Sequence, residues 1–578
     1  MLDYGPPNLI GSCQGRLAQW LERCVDIAEA IGSSPLPPTT FPARGNHPSL
    51  WPQMAQAPFV RCVVVALQSV LLRKVAETPP ERLPHTTCLT KSVSLGRIPN
   101  NYLKSQTDRG AVKSRSGIRH LNCFDKSLLA FEVNCTGQRI GYSGIFSVRG
   151  EPDPDWLRKA IMSTARAHPE LMTTLCGGPL RHYRQVHDDV VGEVLEVQDL
   201  VALQEQKDSA RADTGALYEQ RIHEWINRPL DTRKSFPFRV LLLKKGTADY
   251  ALVFTFHHSA IDGVRAIHLI DDVISRYHNK PPDASLLPQG VKRNGDELLQ
   301  EAKTERARTK GFYREMLAHL SYFVFINPLF HPARIFHDRS EPSGEVRYCS
   351  AKITPAEFQQ LKAKSNSVGG TVNDILMAVC YRSIDKWNRR HGKRTRKISF
   401  LVPIDIGSPD LNGIISNQIS YISFSTSAKD RVDPANLLRK ISAKRTYMLK
   451  ERRGNTYSIV YFASVLRRLP LGAMKIFSKY VLFPLYADTV ICTNPGIVRV
   501  GDCGEGPVEP GGFRIVDFAA VPFVFSVMGM NICVATFNGS LGIYIAYDMG
   551  HFSKGKAEEF LASCMDELAN YQVNPAQP

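Results

Sequence analysis

Residues Tyr250 to Tyr277 read YALVFTFHHSAIDGVRAIHLIDDVISRY. The first part, with Leu252, Val253, Phe254 and Phe256, has the apolar, aromatic texture of a buried strand. The last part is an amphipathic helix, with Ile267, Ile270, Val273 and Ile274 on one face at helical spacing. Between them lies HHSAIDG: His257, His258, Asp262 and Gly263. A strand that only fills a core gains nothing by ending in two histidines with an aspartate four residues on. Neighbouring strand residues point to opposite sides, so one histidine packs inward and the other faces the mouth of the strand. A histidine of ordinary pKa, ~6.5, accepts a proton at neutral pH and returns it. That chemistry suits an alcohol or amine attacking a thioester. His258 is therefore assigned as the base, and His257 to internal packing and hydrogen bonding. Asp262 either holds the turn through an arginine or orients the imidazole. Gly263 allows a tight turn or a close approach to a substrate.

Three plainer readings fit the same residues. The histidines could be satisfied core residues. His257, His258, Asp262, His268, Asp271 and Asp272 could ligate a metal, since His268 and Asp272 share a helix face. The segment could bind a ligand without performing chemistry.

Outward from this stretch, the chain reads as two α/β halves of mixed sheets with helices packed on them. In the first, spanning 116–290, IGYSGIFSV and FRVLLLKK are strands. PDPDWLRKAIMSTARAHPEL is a helix, with Asp153 as N-cap, Pro154 at its first position, and Trp156, Ile161 and Ala165 among its apolar residues. LYEQRIHEWINRPL is a second helix. Residues 291–345 form a charged connector. The second half, 346–573, opens with the strand RYCSAKI. A helix follows, capped by Thr354 with Glu357 at capping-box spacing, and then the long helix of GGTVNDILMAVCYRSIDKWNRRH. KISFLVPIDI, NQISYISFSTS and the stretch from Phe523 to Asp548 supply further strands. Residues 1–115 contain two candidate helices separated by a proline-rich stretch and are expected to be a weakly packed extension.

The chain has 578 residues and a formal net charge of +17. Its size favours two domains plus extensions, and its charge favours anionic partners. Thirteen cysteines are scattered without CxxC or zinc spacing, which points to reduced thiols and a cytoplasmic protein. No apolar run reaches the ~20 residues of a spanning helix. Two basic runs, Arg389–Lys397 and Arg439–Arg453, read as solvated faces or as attraction for coenzyme A phosphates or an anionic membrane. The apolar and basic stretch from Tyr457 to Tyr486 reads either as an interfacial segment in peripheral membrane contact or as a buried helix pair. No finger or basic-aromatic module speaks for nucleic acid.

HHSAIDG matches the HHxxxDG motif, and the chain resembles the condensation-domain-like, chloramphenicol-acetyltransferase-like acyltransferase superfamily. Its texture is similar to that of wax ester synthase/diacylglycerol acyltransferases and polyketide-associated acyltransferases. HPEL (His168–Leu171), NRPLD before FRVLLL, TVND with Asn373 and Asp374, FLVPIDI, and ICTNPG with Asn494 and Gly496 follow in the family's order from about 118 to 572. Two features depart from the pattern. An early PLW stretch is missing, and the usual glycine-asparagine pair stands as Ser416-Asn417. The resemblance implies an α/β (α+β two-layer) fold of two lobes in a V with an active-site tunnel between them. It implies His258 as catalytic base, with His257, Asp262 and Gly263 in support. Asn373, Asp374, Asn494 and Gly496 fall to structural or tunnel-lining positions.

The implied activity is O-acyl transfer. An acyl group passes from acyl-CoA, or an acyl carrier protein, to the hydroxyl of a small molecule or lipid, with an amine the less favoured acceptor. No metal and no bound cofactor are implied; the thioester is a co-substrate. The rival expectations are a catalytically inactive binding protein of the same fold and a free-standing amide-forming condensation enzyme.

Overall fold

The computed structural model describes residues 117–279, 331–405, 417–450, 470–501 and 511–571, with short breaks at 122, 137–139, 179–181, 190, 206–213, 342 and 418. The described residues all lie in the unit Arg97–Pro578. The expected helices before residue 115, the charged connector helix and the start of the apolar-basic stretch lie outside the described residues.

The first lobe contains β1 (Ile118–His120), α1 (Cys123–Phe131), β2 (Gly141–Gly150), α2 (Pro154–Ala167), β3 (Thr173–Gly177), β4 (His182–Val186) and β5 (Leu195–Asp199). It continues with α3 (Leu200–Glu205), α4 (Thr214–Asn227), β6 (Phe238–Lys244), β7 (Asp249–His257) and α5 (Gly263–Tyr277). The second contains β8 (Val346–Ile353), α6 (Pro355–Ser367), α7 (Val372–Arg390), β9 (Lys397–Asp405), β10 (Ile419–Ser427), α8 (Pro434–Lys450) and α9 (Leu471–Phe477). A π turn (Ser478–Leu482) leads into α10 (Phe483–Tyr486), and then come β11 (Val490–Ile497), β12 (Phe513–Val521), β13 (Met530–Phe537), β14 (Ser540–Asp548) and α11 (Lys554–Ala569).

The sheets run β12-β2-β7-β6-β5 and β10-β9-β11-β13-β14-β8, with a small β1-β4-β3 sheet beside the first. β7 is central in its sheet, between β2 and β6. Both of its faces are therefore covered, which is why it reads as a continuous apolar run rather than an alternating one. β12 was missed in the sequence. It comes from the second half of the chain yet pairs antiparallel with β2, so the expected second lobe, 346–573, lends one strand to the first lobe's sheet.

Local signals explain most boundaries. Asp153 accepts from the N–H of Asp155 at 2.8 Å and of Trp156 at 3.0 Å, capping α2. Thr354 and Glu357 form the expected capping box, and Thr371 with Asp374 forms another at the start of α7. Trp156 corrects an expectation: it is 50% exposed, because the core face of α2 is carried by Leu157, Ile161 and Ala165. On α5, Ile270, Val273 and Ile274 are buried, and Ile267 packs partly against the same core.

The lobes share that core. Val498, Val500, Cys533, Ala535 and Tyr544 of the second half pack with α2, α5 and the first sheet. Asn227 clamps the start of β8, donating to Val346 O at 2.8 Å and accepting from Val346 N–H at 2.7 Å. Among the described residues no helix is long and apolar enough to cross a membrane, and the described cysteines are free thiols.

Candidate active site

β7 ends at His257, and the turn Ser259–Ile261 leads into α5, whose N-cap is Asp262. The two histidines diverge as strand alternation requires. His257 is 1% exposed, whereas His258 keeps 9%, so only the second retains an exposed edge.

Hydrogen bonding fixes opposite tautomers in the pair. The Ser259 N–H donates to His257 Nδ1 at 3.3 Å, and the Ser259 hydroxyl lies 2.8 Å from the same nitrogen. His257 Nδ1 is thus an acceptor. Its proton sits on Nε2, which faces Glu132 Oε1 at 3.7 Å. His258 is the reverse. Its Nδ1 meets its own backbone carbonyl and, at 3.3 Å, Asn417 Oδ1. Both partners are acceptors, so Nδ1 carries the proton and Nε2 keeps a free lone pair.

The surroundings of His258 are apolar above and below. The Tyr142 ring lies 5.1 Å away and the Phe523 ring 5.3 Å away, the latter edge-on. Burial lowers the His258 pKa below its ordinary value. Its own carbonyl, Asp262 and Asn417 oppose that effect, and His257 adds to it. The net result is an imidazole kept neutral, with one nitrogen tied down and the other open.

Behind the histidines runs a buried polar chain joining the lobes. Asn417 donates to Asp125 Oδ1 at 3.1 Å. Arg184 stands 3.9 Å from Asp125 and donates to the Ser259 carbonyl at 2.7 Å and the Ser259 hydroxyl at 3.1 Å. Asp262 follows the first of the two roles expected for it. It accepts from the Arg265 N–H at 3.1 Å and pairs with the Arg265 guanidinium at 3.5 Å. The guanidinium reaches Asp405 Oδ1 at 2.9 Å, at the end of β9 in the second lobe. The motif aspartate therefore anchors the turn and, through Arg265, ties it to the other lobe. Tyr142 assists by donating to the Ile261 carbonyl at 3.1 Å.

Gly263 is not required by the turn. Its φ lies outside the left-handed region and a Cβ there would meet nothing within 4 Å. The tight-turn reading is thereby corrected, and the close-approach reading is what remains for it.

The six residues of the metal alternative do not converge. Asp271 accepts from the Gly501 N–H at 2.8 Å, Asp272 pairs with Arg276 at 3.0 Å, and Asp262 caps its own helix.

The remaining candidates sit on the second lobe. Asp374 is fully buried, completes the α7 capping box and pairs with Arg445 at 2.9 Å. Asn494 Nδ2 donates to Asn373 Oδ1 at 3.1 Å, while its Oδ1 accepts from the Gly496 N–H at 2.8 Å. Gly496 has φ +87°, a left-handed conformation that favours glycine. Asp374 is thus structural, and Asn373 at the start of α7 is hydrogen-bonded to Asn494 at an irregular step of β11 that includes Gly496.

The basic runs are partly consumed by the fold. Arg389 pairs with Asp385, and Arg445 with Asp374. Lys444 lies over the Phe424 ring, where burial pushes its pKa down to about 8, Lys440 adding to the effect.

Sequence reading singled out Asn417 only as part of a departure, and did not single out Asp125, Arg184, Glu132, Arg265 or Asp405. These are ordinary polar residues scattered along the chain, and only folding brings them together.

The family model described as Condensation domain matches residues 138–393. A putative diacylglycerol O-acyltransferase of Mycobacterium tuberculosis is 25% identical over 381 residues, covering 64% of this chain and 82% of its own. Wax ester synthase/diacylglycerol acyltransferase 6 of Arabidopsis thaliana is 21% identical over 279 residues, covering 44% and 52%. Among solved structures, the starter condensation domain of rhizomide synthetase, in complex with C8-CoA and Leu-SNAC, aligns with a TM-score of 0.55 at 11% identity, covering 80% of this chain and 96% of that one. The relatives support an acyltransferase or condensation-like activity, and the structural likeness shows the fold. The chain has the mixed α/β fold of the condensation domains and resembles the condensation-domain-like, chloramphenicol-acetyltransferase-like acyltransferase superfamily.

Proposed function

We propose that the protein is an O-acyltransferase in which His258 is the general base, taking an acyl group from an acyl-CoA or acyl-carrier thioester to a hydroxyl. The observation that carries this reading is the fixed tautomer of His258, with Nδ1 held by two acceptors and Nε2 left open. The acceptor hydroxyl gives its proton to Nε2 as its oxygen attacks the thioester carbonyl. A tetrahedral oxyanion forms and collapses, the C–S bond breaks, and the leaving thiolate recovers the proton from the imidazolium. The base begins and ends neutral, which its apolar flanks favour. His257, Asp262 and Arg184 hold the turn in place rather than touch the reacting atoms. A C8-CoA complex of a structural neighbour and the diacylglycerol and wax ester relatives support an acyl-CoA donor and a lipid-like hydroxyl acceptor.

The test is free-thiol release from acyl-CoAs of graded chain length with pooled alcohol, sterol, glyceride and amine acceptors, wild type beside His258→Ala. Acceptor-dependent release that vanishes in the variant supports the proposal. Release that survives His258→Ala at the wild-type rate refutes it. Tight acyl-CoA binding without turnover of any acceptor, from CoA or carrier protein, would favour a binding protein instead.

A further inference from the structure

Asn417 has two unlike ends, and the fold uses both. Its side chain is fully buried. Oδ1 accepts from His258 Nδ1 at 3.3 Å, and Nδ2 donates to Asp125 Oδ1 at 3.1 Å. A carboxamide is nearly symmetric in shape and opposite in function, since one end only accepts and the other only donates. Turned over, it would fill the same space and present Nδ2 to the imidazole. A donor there requires Nδ1 to carry the lone pair, and the proton then sits on Nε2. The ring would be as neutral and as buried as before, but its open edge would donate rather than accept.

The carbonyl of His258 meets Nδ1 as well, and it cannot turn over. The amide can, so the sense in which it lies has to be set from its other end. Asp125 stands there. An ionised carboxylate has no proton to give, so the end of the amide that meets it must be Nδ2. The reversed amide would set a carbonyl oxygen against a carboxylate oxygen in a buried site, losing a hydrogen bond and gaining a repulsion. Asp125 is itself held firmly. It lies in the first turn of α1, where the helix dipole favours a negative charge. Leu128, Leu129 and Ala130 of the same helix are buried in two separate apolar clusters. Arg184 keeps a cation 3.9 Å from Asp125 Oδ2 and donates to the Ser259 carbonyl at 2.7 Å, so the carboxylate and the turn after the histidines share one frame.

We propose that Asp125 is a positioning residue that selects the tautomer of His258. Its carboxylate fixes the sense of the Asn417 amide, and the amide fixes the imidazole proton on Nδ1. The inference rests on the acyl-transfer reading only for the use made of the open Nε2. The relay starts on α1 of the first lobe, passes through Asn417 of the second and returns to the end of β7, so it is complete only when both lobes are in place.

The experiment reads the tautomer directly, by nitrogen NMR of the full chain carrying isotope-labelled histidine, in mildly alkaline buffer where the imidazole is neutral. The His258 signals are those that vanish in His258→Gln. Wild type is expected to show Nε2 as the unprotonated nitrogen. Asp125→Leu offers the amide no acceptor. Part of its population is expected to carry the proton on Nε2, with kcat/KM for thiol release lowered roughly tenfold. Asp125→Asn, whose own amide meets Asn417 in either sense, is expected to show a mixture too, and it carries the test if the leucine variant does not fold. The exchange Asp125→Asn/Asn417→Asp supplies the rescue. A carboxylate at position 417 only accepts, so the proton should return to Nδ1. A wild-type tautomer in the single variants, whatever their activity, would overturn the proposal, as would an exchange variant no richer in the Nδ1–H form than Asp125→Asn. The NMR readout needs no turnover. Tautomer shifts as expected, without thiol release from any of the proteins, refute acyl transfer alone. Thiol release that depends on His258, with a tautomer indifferent to residue 125, refutes the role of Asp125 alone.

Discussion

Asn417→Ala isolates what holds the proposed base, His258. Asn417 is fully buried and spans the lobes, accepting from His258 Nδ1 at 3.3 Å and donating to Asp125 at 3.1 Å. Removing it deletes one neutral hydrogen bond on the imidazole, worth about 1 kcal/mol net, which corresponds to roughly fivefold in kcat/KM if the bond persists into the transition state. The imidazole does not swing free, because its own carbonyl still accepts from Nδ1. The loss should therefore stay far from that of His258→Ala. A second readout separates orientation from folding damage. Asn417 favours the charged form of His258, so its removal moves the already lowered pKa further down. The acid limb of kcat/KM reports the free-enzyme base and should shift to lower pH even as the plateau falls. A plateau within twofold of wild type, or an acid limb that moves upward, would show that Asn417 does not hold the base.

Four further outcomes follow from the same structure. Because the folded His258 pKa lies below its unfolded value near ~6.5, the buried neutral imidazole contributes stability that is lost as pH falls through that window; His258→Gln should flatten this part of the unfolding profile, and an unchanged profile would remove the burial argument. Asp548 is pushed up by burial, but donors including His551, Thr136 and Gly550 outweigh this and bring it to about 2. Its contribution is therefore present above an ordinary carboxylate pKa and lost as pH drops toward 2, and Asp548→Asn should cost about 1–3 kcal/mol at neutral pH, read by urea unfolding. Asp374→Ala removes a helix cap and a buried charge from Arg445 and should cost about 2 kcal/mol, with no change in the pH dependence of turnover; a shifted acid limb would give Asp374 a part in the chemistry. Gly263→Ala should leave the melting temperature unchanged or slightly higher, since Ala is the better helix former by up to about 1 kcal/mol and its Cβ meets open space; a fall of several degrees would contradict that geometry.

How much was legible in the sequence depends on how local each signal is. β7, α5 and the capping box at Thr354 were readable because strand texture, helical periodicity and caps act over a few residues. The opposed facing of His257 and His258 was readable for the same reason, since a period of two decides it. β12 was not. Phe513–Val521 pairs with β2 across more than 360 residues of chain, and nothing in nine residues announces a partner in the other lobe. Asn417 and Asp405 stayed silent on the same grounds. Each is one polar side chain whose role exists only once the second lobe closes on the HHSAIDG turn.

That division bears on how the site works. The local signals build a strand that ends in a histidine pair, which alone could be two satisfied core residues. The long-range contacts change its meaning. Arg265 joins Asp262 to Asp405, and Asn417 joins His258 to Asp125, so the second lobe contributes an acceptor to His258 and a carboxylate to the turn that presents it. A core histidine needs only satisfied nitrogens, and His257 meets that description fully. His258 instead has Nδ1 gripped from both lobes and Nε2 left with its lone pair, in an apolar setting that keeps it neutral. Closing the second nitrogen as well would stabilise the fold further, so an open Nε2 agrees with the role proposed for His258. It is the arrangement that the proposed proton transfer requires.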